Sequence, residues 1–350
     1  MNIIYILPLF VIGGVFLLIV NKKRKERQSQ GAKRPASAED IESLANPAAI
    51  TAILFITLIY VTFFSGFTPI MPTPLDLITI VWYALFIIVF YFICRKEKRR
   101  YTGPRQELKI EKNLSLKYEL IRKLTHLVIG MIIVCYTIIG PIFMNFMNFM
   151  LDAVPFFGIS SLNVDPIYYG HYTVVFLVVI SFLGLSTSEI VRVFFYPAYP
   201  LKAVKAIYRQ KEIGAALGSH ISLTVGVMAV ILVYGPHYPD IVVASVSISA
   251  IADAAANLVG KKFGKHEYRT AISKKRKTFE GMLSATIVSF LLSLLFLIYR
   301  FGTYSFLLGF VAAGVMVLID WLSPQVSDNL LNPLLTSTAM VIVAKILLLP

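Results

Sequence analysis

The sequence predicts an all-α bundle that crosses a membrane about ten times, with both termini outside. Three observations predict it. Apolar residues make up 57% of the chain against 15% charged, at a mean hydropathy of +0.75, far from the balance of an ordinary soluble domain. Runs of about 20 apolar residues, enough to cross ~30 Å of hydrocarbon, recur along the 350 residues. The cations fall into four loops: seven Lys and Arg in 21–46, eleven in 95–123, five in 191–218 and eight in 261–279, which hold 31 of the 33. With ten spans these loops share one side, which the excess of Lys and Arg makes cytoplasmic. Topology thus accounts for the net charge of +14, and no nucleic-acid partner is needed to explain it.

Taken in order, span 1 (2–20) has no basic segment before it and no small-residue cleavage site after it. It reads as a retained anchor rather than a cleaved signal. The polar, basic stretch from Asn21 to Pro47 reads as a flexible cytoplasmic linker. Spans 2 and 3 (48–67 and 76–94) are almost wholly apolar, with Trp82 and tyrosines suited to lipid-facing or interfacial places. Residues 108–123 read as an amphipathic helix entering span 4 (124–144), and 144–170 as an outside loop. Spans 5 to 10 follow at 171–190, 219–235, 240–260, 281–299, 304–322 and 331–349. Cys94 and Cys135 both fall within or beside apolar spans, where cysteine is a small packing residue.

Polar groups inside spans carry the functional signal. His126, Glu189, Asp253 and Asp320 all fall near the cytoplasmic ends of their spans. A carboxylate at mid-bilayer costs a few kcal/mol, so each should face the protein interior and have a partner. Asp253, Asn257 and Gly260 share one helix face at i, i+4 and i+7. Their oxygens are hard ligands of the kind Mg²⁺ takes, usually one or two carboxylates plus substrate phosphate. The surrounding serines and alanines (Ser245, Ser247, Ser249, Ala250, Ala252) make this helix thin. The plainer alternative is a tightly packed helix whose acid pairs with a neighbouring Arg.

A basic stretch follows: Gly260-Lys261-Lys262, Gly264-Lys265-His266, then Lys274 to Lys277, closing on Thr278, Glu280 and Gly281. Glycines let backbone approach a phosphate and lysines offset its charge. A helix starting near Thr278 would present N–H groups to an anion. The alternative is a basic loop against anionic lipid; the GxxxxGK[ST] phosphate loop is absent. Upstream, Glu119, Arg122, Lys123 and His126 form one polar stripe able to reach phosphate, or a salt-bridged entry helix. Downstream, Asp328-Asn329 in SPQVSDNLLNPL reads as a turn with Asp/Asn caps.

Together these segments resemble the membrane-embedded CTP-dependent lipid kinases: dolichol, phytol and farnesol kinases and the CTP-dependent diacylglycerol kinase. The family pattern GDxxAxxxGxxxGKHK…KKTxEG is matched by Asp253 through Gly260, by Gly264-Lys265-His266 and by Lys277-Thr278-Phe279-Glu280-Gly281. Its E…RKxxH is met by Glu119, Arg122, Lys123 and His126, and its DDNxxxPL by Asp328, Asn329 and Pro333, with Asp320 where the family often has Glu. The chain departs from the pattern at Ala252 (for glycine), Arg276 (within the lysine run) and Ser327 (for the first acid). The related CDP-diacylglycerol synthases share the GKH…KTxEG core. After Glu280, however, only Asp320 and Asp328 are acidic and no histidine remains, which favours the kinases.

The resemblance covers roughly 115–350 and implies a lipid kinase-like membrane domain there, with 1–114 a separate N-terminal membrane region. It implies phosphoryl transfer from CTP to the hydroxyl of a polyprenol-type lipid alcohol at the cytoplasmic face, in a plasma membrane or endoplasmic reticulum. Asp253 and Asp328 would hold Mg²⁺ or another divalent cation, with Asn257 as a further ligand. Lys265, Lys274 and Lys277, with Lys261, Gly260, Gly264, His266 and Gly281, would line the nucleotide; Thr278, Glu280 and Asn329 would position ribose, base or metal. Arg122, Lys123 and His126, with Glu119, would complete the phosphate or acceptor site. A diacylglycerol acceptor and a cytidylyltransferase are the near alternatives. An ion-coupled transporter using Glu189, Asp253 and Asp320 as a relay is the distant one.

Overall fold

The computed structural model describes residues 3–30, 38–64, 71–100, 132, 134–155, 158, 162, 164–200 and 217–349. The stretch expected as an amphipathic helix at 108–123, the first part of span 4 (124–131 and 133), and Glu119, Arg122, Lys123 and His126 lie outside these residues.

Among the described residues, eight helices are long and apolar enough to cross a membrane, and the chain is an all-α polytopic bundle. Helix α1 runs Ile3–Gln30, α2 Ala38–Phe63 and α3 Leu75–Arg100. A π turn at Cys135–Ile139 leads into α4, Gly140–Ala153. Helix α5 spans Tyr169–Phe194, and α6, Ser219–Tyr234, is shorter and mostly buried. One crossing from Pro239 to Phe263 is built of α7 (Pro239–Ser247), a π turn (Ile248–Ala252) and α8 (Asp253–Phe263). Strands β1 (Glu267–Arg269) and β2 (Arg276–Thr278) pair antiparallel. Helices α9 (Phe279–Phe301), α10 (Tyr304–Leu322) and α11 (Asp328–Ile346) complete the chain.

Three boundaries differ from the sequence reading, each for a local reason. The expected linker 21–47 is largely helical, because α1 continues to Gln30 and α2 begins at Ala38. The expected outside loop from Met144 is helix as far as Ala153. There the polar Asn148 is satisfied within the protein: its amide donates to the Tyr169 hydroxyl at 2.7 Å and its oxygen accepts from the Leu162 N–H at 2.7 Å. Asp328 and Asn329 do not sit in a turn. They open α11, directly after the extended Ser327.

Two apolar clusters hold the bundle. One joins α1, α2, α5 and α6 through residues such as Phe16, Leu54, Phe182 and Met228; the other joins α7, α9, α10 and α11 through Ile241, Leu297, Leu308 and Met340. Between helices in lipid the gain comes from close packing more than from leaving water, so small residues set the distances. A Cβ on Gly140 would stand 2.6 Å from Gly170 Cα, and one on Gly226 would stand 3.0 Å from the Leu330 carbonyl oxygen. Helices α4 and α5, and α6 and α11, therefore meet with backbones in contact.

Among the described residues, basic side chains of α1 and the hairpin stand at the end of the bundle where α5 closes and α6 starts. At that end Lys22, near the end of α1, reaches the Val193 carbonyl at 3.4 Å and lies over the Phe194 ring at the close of α5. The last turn of α3 carries Lys98, Arg99 and Arg100 and the β hairpin carries Arg269 and Lys274 to Lys277.

Candidate active site at the basic end of the bundle

At this end the first turns of α2, α6, α9 and α11, the last turn of α10, α8 and β2 surround a cavity of about 450 Å³. The sequence builds it from interruptions. A π turn ends at Ala252 and delivers Asp253 as the first residue of α8; such turns recur where a helix must re-aim a functional side chain. The Asn257 amide donates to Asp253 Oδ1 at 3.0 Å and to the Asp253 carbonyl at 2.7 Å, so the i, i+4 pair forms as the spacing predicted.

The hairpin between α8 and α9 is fastened to α10. The Ala271 and Ile272 N–H groups donate to the Trp321 and Leu322 carbonyls at 2.9 and 3.0 Å. These are the last carbonyls of α10, which have no partner within their own helix. Ser273 adds a hydroxyl bond to Ser323 at 2.9 Å. The docking brings Lys277 of β2 against Asp320 near the end of α10, Nζ to Oδ1 2.6 Å, with Asp328 Oδ2 at 3.8 Å. The Tyr268 hydroxyl, opposite Lys277 in the ladder, donates to Asp320 Oδ2 at 2.7 Å.

Electrostatics follow from this crowding. Burial pulls the Lys277 ammonium down, but Asp328, Asp320 and Asp253 more than reverse it, so its pKa lies above the ordinary lysine value. Burial, then the hydrogen bond and charge of Asp320, push the Tyr268 phenol up. Three carboxylates thus face one ammonium that stays charged. Asp253, Asp320 and Asp328 line one part of the cavity, and Lys261, Lys275 and Arg276 line it elsewhere.

Of the residues singled out by sequence, Asp253, Asn257, Gly260, Lys261, Lys277, Thr278, Gly281, Asp328 and Asn329 all line this cavity. Gly264, Lys265, His266, Lys274 and Glu280 do not. Thr278 caps α9, its hydroxyl accepting from the Gly281 N–H at 3.3 Å. Glu280 turns back to His266, Oε1 to Nδ1 2.7 Å. The glycines serve packing: a Cβ on Gly260 would stand 2.8 Å from Thr278 Oγ1, one on Gly264 2.6 Å from Thr278 Cγ2, and one on Gly281 2.8 Å from the Ala256 carbonyl. They let α8 and the start of α9 touch, which places Thr278 beside Asp253's helix.

The structure adds residues that the sequence reading left out of the site. Lys275 and Arg276 line the cavity; they were legible only as members of a basic run. Asp320 was legible as an acid in a span, but its partners 43 and 52 residues away were not. Glu42, Ser43 and Asn46 of α2 also line the cavity, in a segment that composition marks as linker.

As a test of fit for a divalent cation, no group of three or more Asp, Glu, His or Cys side chains among the described residues is placed to chelate one. Asp253 and Asp328 nevertheless face the same cavity. Two carboxylates completed by substrate phosphate oxygens is the usual Mg²⁺ arrangement, so the donor set suits an ion that arrives with a phosphate.

Of the six buried side-chain polar atoms without a hydrogen-bond partner among the described residues, four lie on α7, the π turn and α11: Ser247 Oγ, Ser249 Oγ, Asn332 Oδ1 and Thr336 Oγ1. Elsewhere the hydroxyls of Ser289, Ser293 and Ser337 bond back to the carbonyl four residues earlier, the usual way for serine to be silent in a membrane helix. Ser249 precedes Asp253 by one turn and Asn332 follows Asp328 by one turn, and the π turn packs on α11. Both groups therefore lie about 6 Å deeper than the acids.

The fold and cavity define a polytopic helical membrane protein with an acidic and basic cleft among the ends of its helices. No family model matches the chain, and no solved structure matches it. It is similar to a phytol kinase of Synechocystis sp., at 31% identity over 127 residues, which is 35% of this chain and 47% of that protein. The chain thus matches about half the length of this curated relative.

Proposed function

We propose that the protein transfers the γ-phosphoryl group of CTP to the hydroxyl of a membrane isoprenoid alcohol, at the cytoplasmic face. The observation that carries this reading is the single cavity that collects Asp253, Asp320 and Asp328 around Lys277, with Lys261, Lys275 and Arg276 on its walls. Phosphoryl transfer asks a protein mainly to position reactants and neutralise charge, and this cleft has the groups for both. The name of the relative, a lipid-alcohol kinase, supports the same class. The basic end of the bundle supports the cytoplasmic placement.

In this reading the cationic side chains bind the triphosphate, and Asp253 and Asp328 hold Mg²⁺, which neutralises phosphate charge when bound. The acceptor oxygen forms a bond to the γ-phosphorus as the bond to the β,γ-bridging oxygen breaks. CDP leaves, and the hydroxyl proton passes to a carboxylate of the same trio. The neutral pair Ser249 and Asn332 one turn below the acids, with Thr336 a turn deeper, suits a hydroxyl group whose hydrocarbon tail stays in the bilayer. Lys277 offsets the mutual repulsion of the acids before substrate arrives.

The test is a panel of phytol, farnesol, polyprenols and diacylglycerol, given γ-labelled CTP and Mg²⁺ with the purified protein. Labelled lipid phosphate from an isoprenoid alcohol is the expected product. Label appearing only in phosphatidate would move the acceptor to diacylglycerol. Transfer from α-labelled CTP to phosphatidate would make the protein a cytidylyltransferase. No label in any lipid would end the kinase reading.

A further inference from the structure

Helix α2 lies outside the segment that resembles a lipid kinase, yet it forms a wall of the cavity. Its inward stripe explains how. Ile50, Leu54, Leu58 and Val61 recur every three or four residues and are buried against α6 and α1. Continued toward the basic end, the stripe changes chemistry at the level of the cleft and becomes Asn46, Ser43 and Glu42. Pro47 interrupts the helix ladder at this point.

Among the described residues, Asn46 and Glu42 of this segment contact elements that carry site residues. Asn46 Oδ1 accepts the Ser327 N–H at 3.0 Å, the donor one residue before Asp328. The other end of the same amide donates to Ser222 Oγ on α6 at 3.4 Å. Helix α6 is itself held to the first turn of α11 at Gly226, and Asn329 reaches back to the Ser219 carbonyl at 3.4 Å. Glu42 Oε2 lies 3.2 Å from Lys275 Nζ on the hairpin.

We infer that Asn46 is a positioning residue for the reaction: by holding the Ser327 N–H while anchored on Ser222, it fixes where α11 starts and so where Asp328 and Asn329 face the cavity. The catalytic part of this statement rests on the kinase reading above. Its physical basis is that an Asn amide is rigid and two-ended. A donor and an acceptor on one plane can tie two helices to a third at a fixed height, which an apolar side chain cannot do. Polar pairs between membrane helices are worth only about 0.6–2 kcal/mol, so losing this one should misplace Asp328 without unfolding the bundle.

The experiment uses the full chain in lipid nanodiscs and compares wild type with Asn46→Leu, Asn46→Asp and Ser222→Ala, scoring kcat, KM for CTP and amide hydrogen exchange. Asn46→Leu is expected to lose ~10- to 100-fold in kcat with KM for CTP within about twofold, together with protection at the Ser327–Leu331 amides and nowhere else. Asn46→Asp keeps the acceptor for the Ser327 N–H and places charge at a helix N-terminus, where it is tolerated. It should stay within about threefold of wild-type kcat. Ser222→Ala unties only the other end and should lose about two- to fivefold. Wild-type kcat in Asn46→Leu, or equal loss in Asn46→Leu and Asn46→Asp, overturns the proposal, as does a loss of protection spread over the whole bundle. If wild type itself transfers no phosphate, the kinase reading falls while hydrogen exchange at Ser327–Leu331 still decides whether Asn46 sets the α11 start.

Discussion

Two ionic centres stand at the same end of the bundle, and they are built to opposite ends. Glu189, near the end of α5, is 1% exposed and fully spoken for. Arg192 grips it through Nε and Nη2, both at 2.8 Å; the Gly218 N–H donates to it; His220 lies 3.7 Å away. Arg192 and Glu189 meet in a two-bonded fork. Around Lys277 the arrangement is different, with three carboxylates facing one ammonium on the wall of an open cavity. A sealed centre is a structural fastening; one on a cavity wall stands where a ligand can reach it. This contrast also weighs against a transport relay that would use Glu189, since a fastened acid has no vacant position to hand an ion along.

The strongest way to break the comparison is Asp253→Asn. If the cleft is the working centre, this change removes the metal-holding charge and should cost ~10³-fold in label transfer from γ-labelled CTP. The melting temperature should stay within a few degrees, because the Asn257 contact to the Asp253 main-chain carbonyl survives. Full activity in this variant would take the metal role away from Asp253. The matching change at the sealed centre is Arg192→Leu. It strands a buried carboxylate, which typically costs about 3–5 kcal/mol, read as a lowered melting temperature and a smaller folded yield. The protein that does fold should keep its kcat. A variant with normal stability and lost kcat would make Glu189 part of the chemistry instead.

Lys277→Met comes next, and should affect both readouts at once. It removes the cation that reconciles Asp320, Asp328 and Asp253, and activity should fall about 10²-fold with a stability loss of ~1–3 kcal/mol at neutral pH, reduced because the pair is partly solvated. The sign with pH follows from the raised pKa. Stabilisation by Lys277 is fully present below the ordinary lysine value and is lost as pH climbs through the higher folded-state value. A wild-type melting curve should therefore fall off in strongly alkaline buffer, and in Lys277→Met that alkaline fall should shrink.

How much of this was legible in the sequence depends on whether a residue's partners lie nearby along the chain. The spans from α9 to α11 could be read within a few residues, because hydropathy is a local property, and the Asp253–Asn257 pair could be read because a helix brings i and i+4 together. The charge asymmetry was readable for the same reason. Asp328 was misread as a turn residue because Asp and Asn favour turns and helix starts alike, and only the extended Ser327 before it decides between them. Asn46 and Glu42 were not legible. In a segment that also holds lysines, serines and glutamines they look like linker, and nothing local says that Ser327, 281 residues on, needs an acceptor. The roles of Gly260, Gly264 and Gly281 show the same limit: glycine before lysine suggests a phosphate loop, whereas the neighbour each one makes room for is Thr278 or a helix backbone.

The smallest expected effect, and the finest probe of the centre on the cavity wall, is Tyr268→Phe. The phenol is pushed above its ordinary value by burial and by Asp320, so it remains a donor across the working pH range. Its bond to Asp320 Oδ2 leaves Oδ1 for Lys277, and this division keeps the ammonium leaning toward Asp320 rather than Asp328. Removing the hydroxyl costs one hydrogen bond to a charged group, about 1.5–3 kcal/mol at most and less where Asp320 can recruit water. The ring itself, 4.9 Å from Phe279, keeps its packing. Freed of the phenol, Asp320 can take Lys277 with both oxygens and draw it further from Asp328. Activity should therefore drop only two- to fivefold, chiefly in KM for CTP, since the proposed reaction has the displaced ammonium among the cations that meet the phosphates. An unchanged KM with lowered kcat would place Lys277 at the transferred group rather than along the triphosphate. That result would sharpen the contrast with Arg192, which holds both oxygens of its buried carboxylate partner at 2.8 Å.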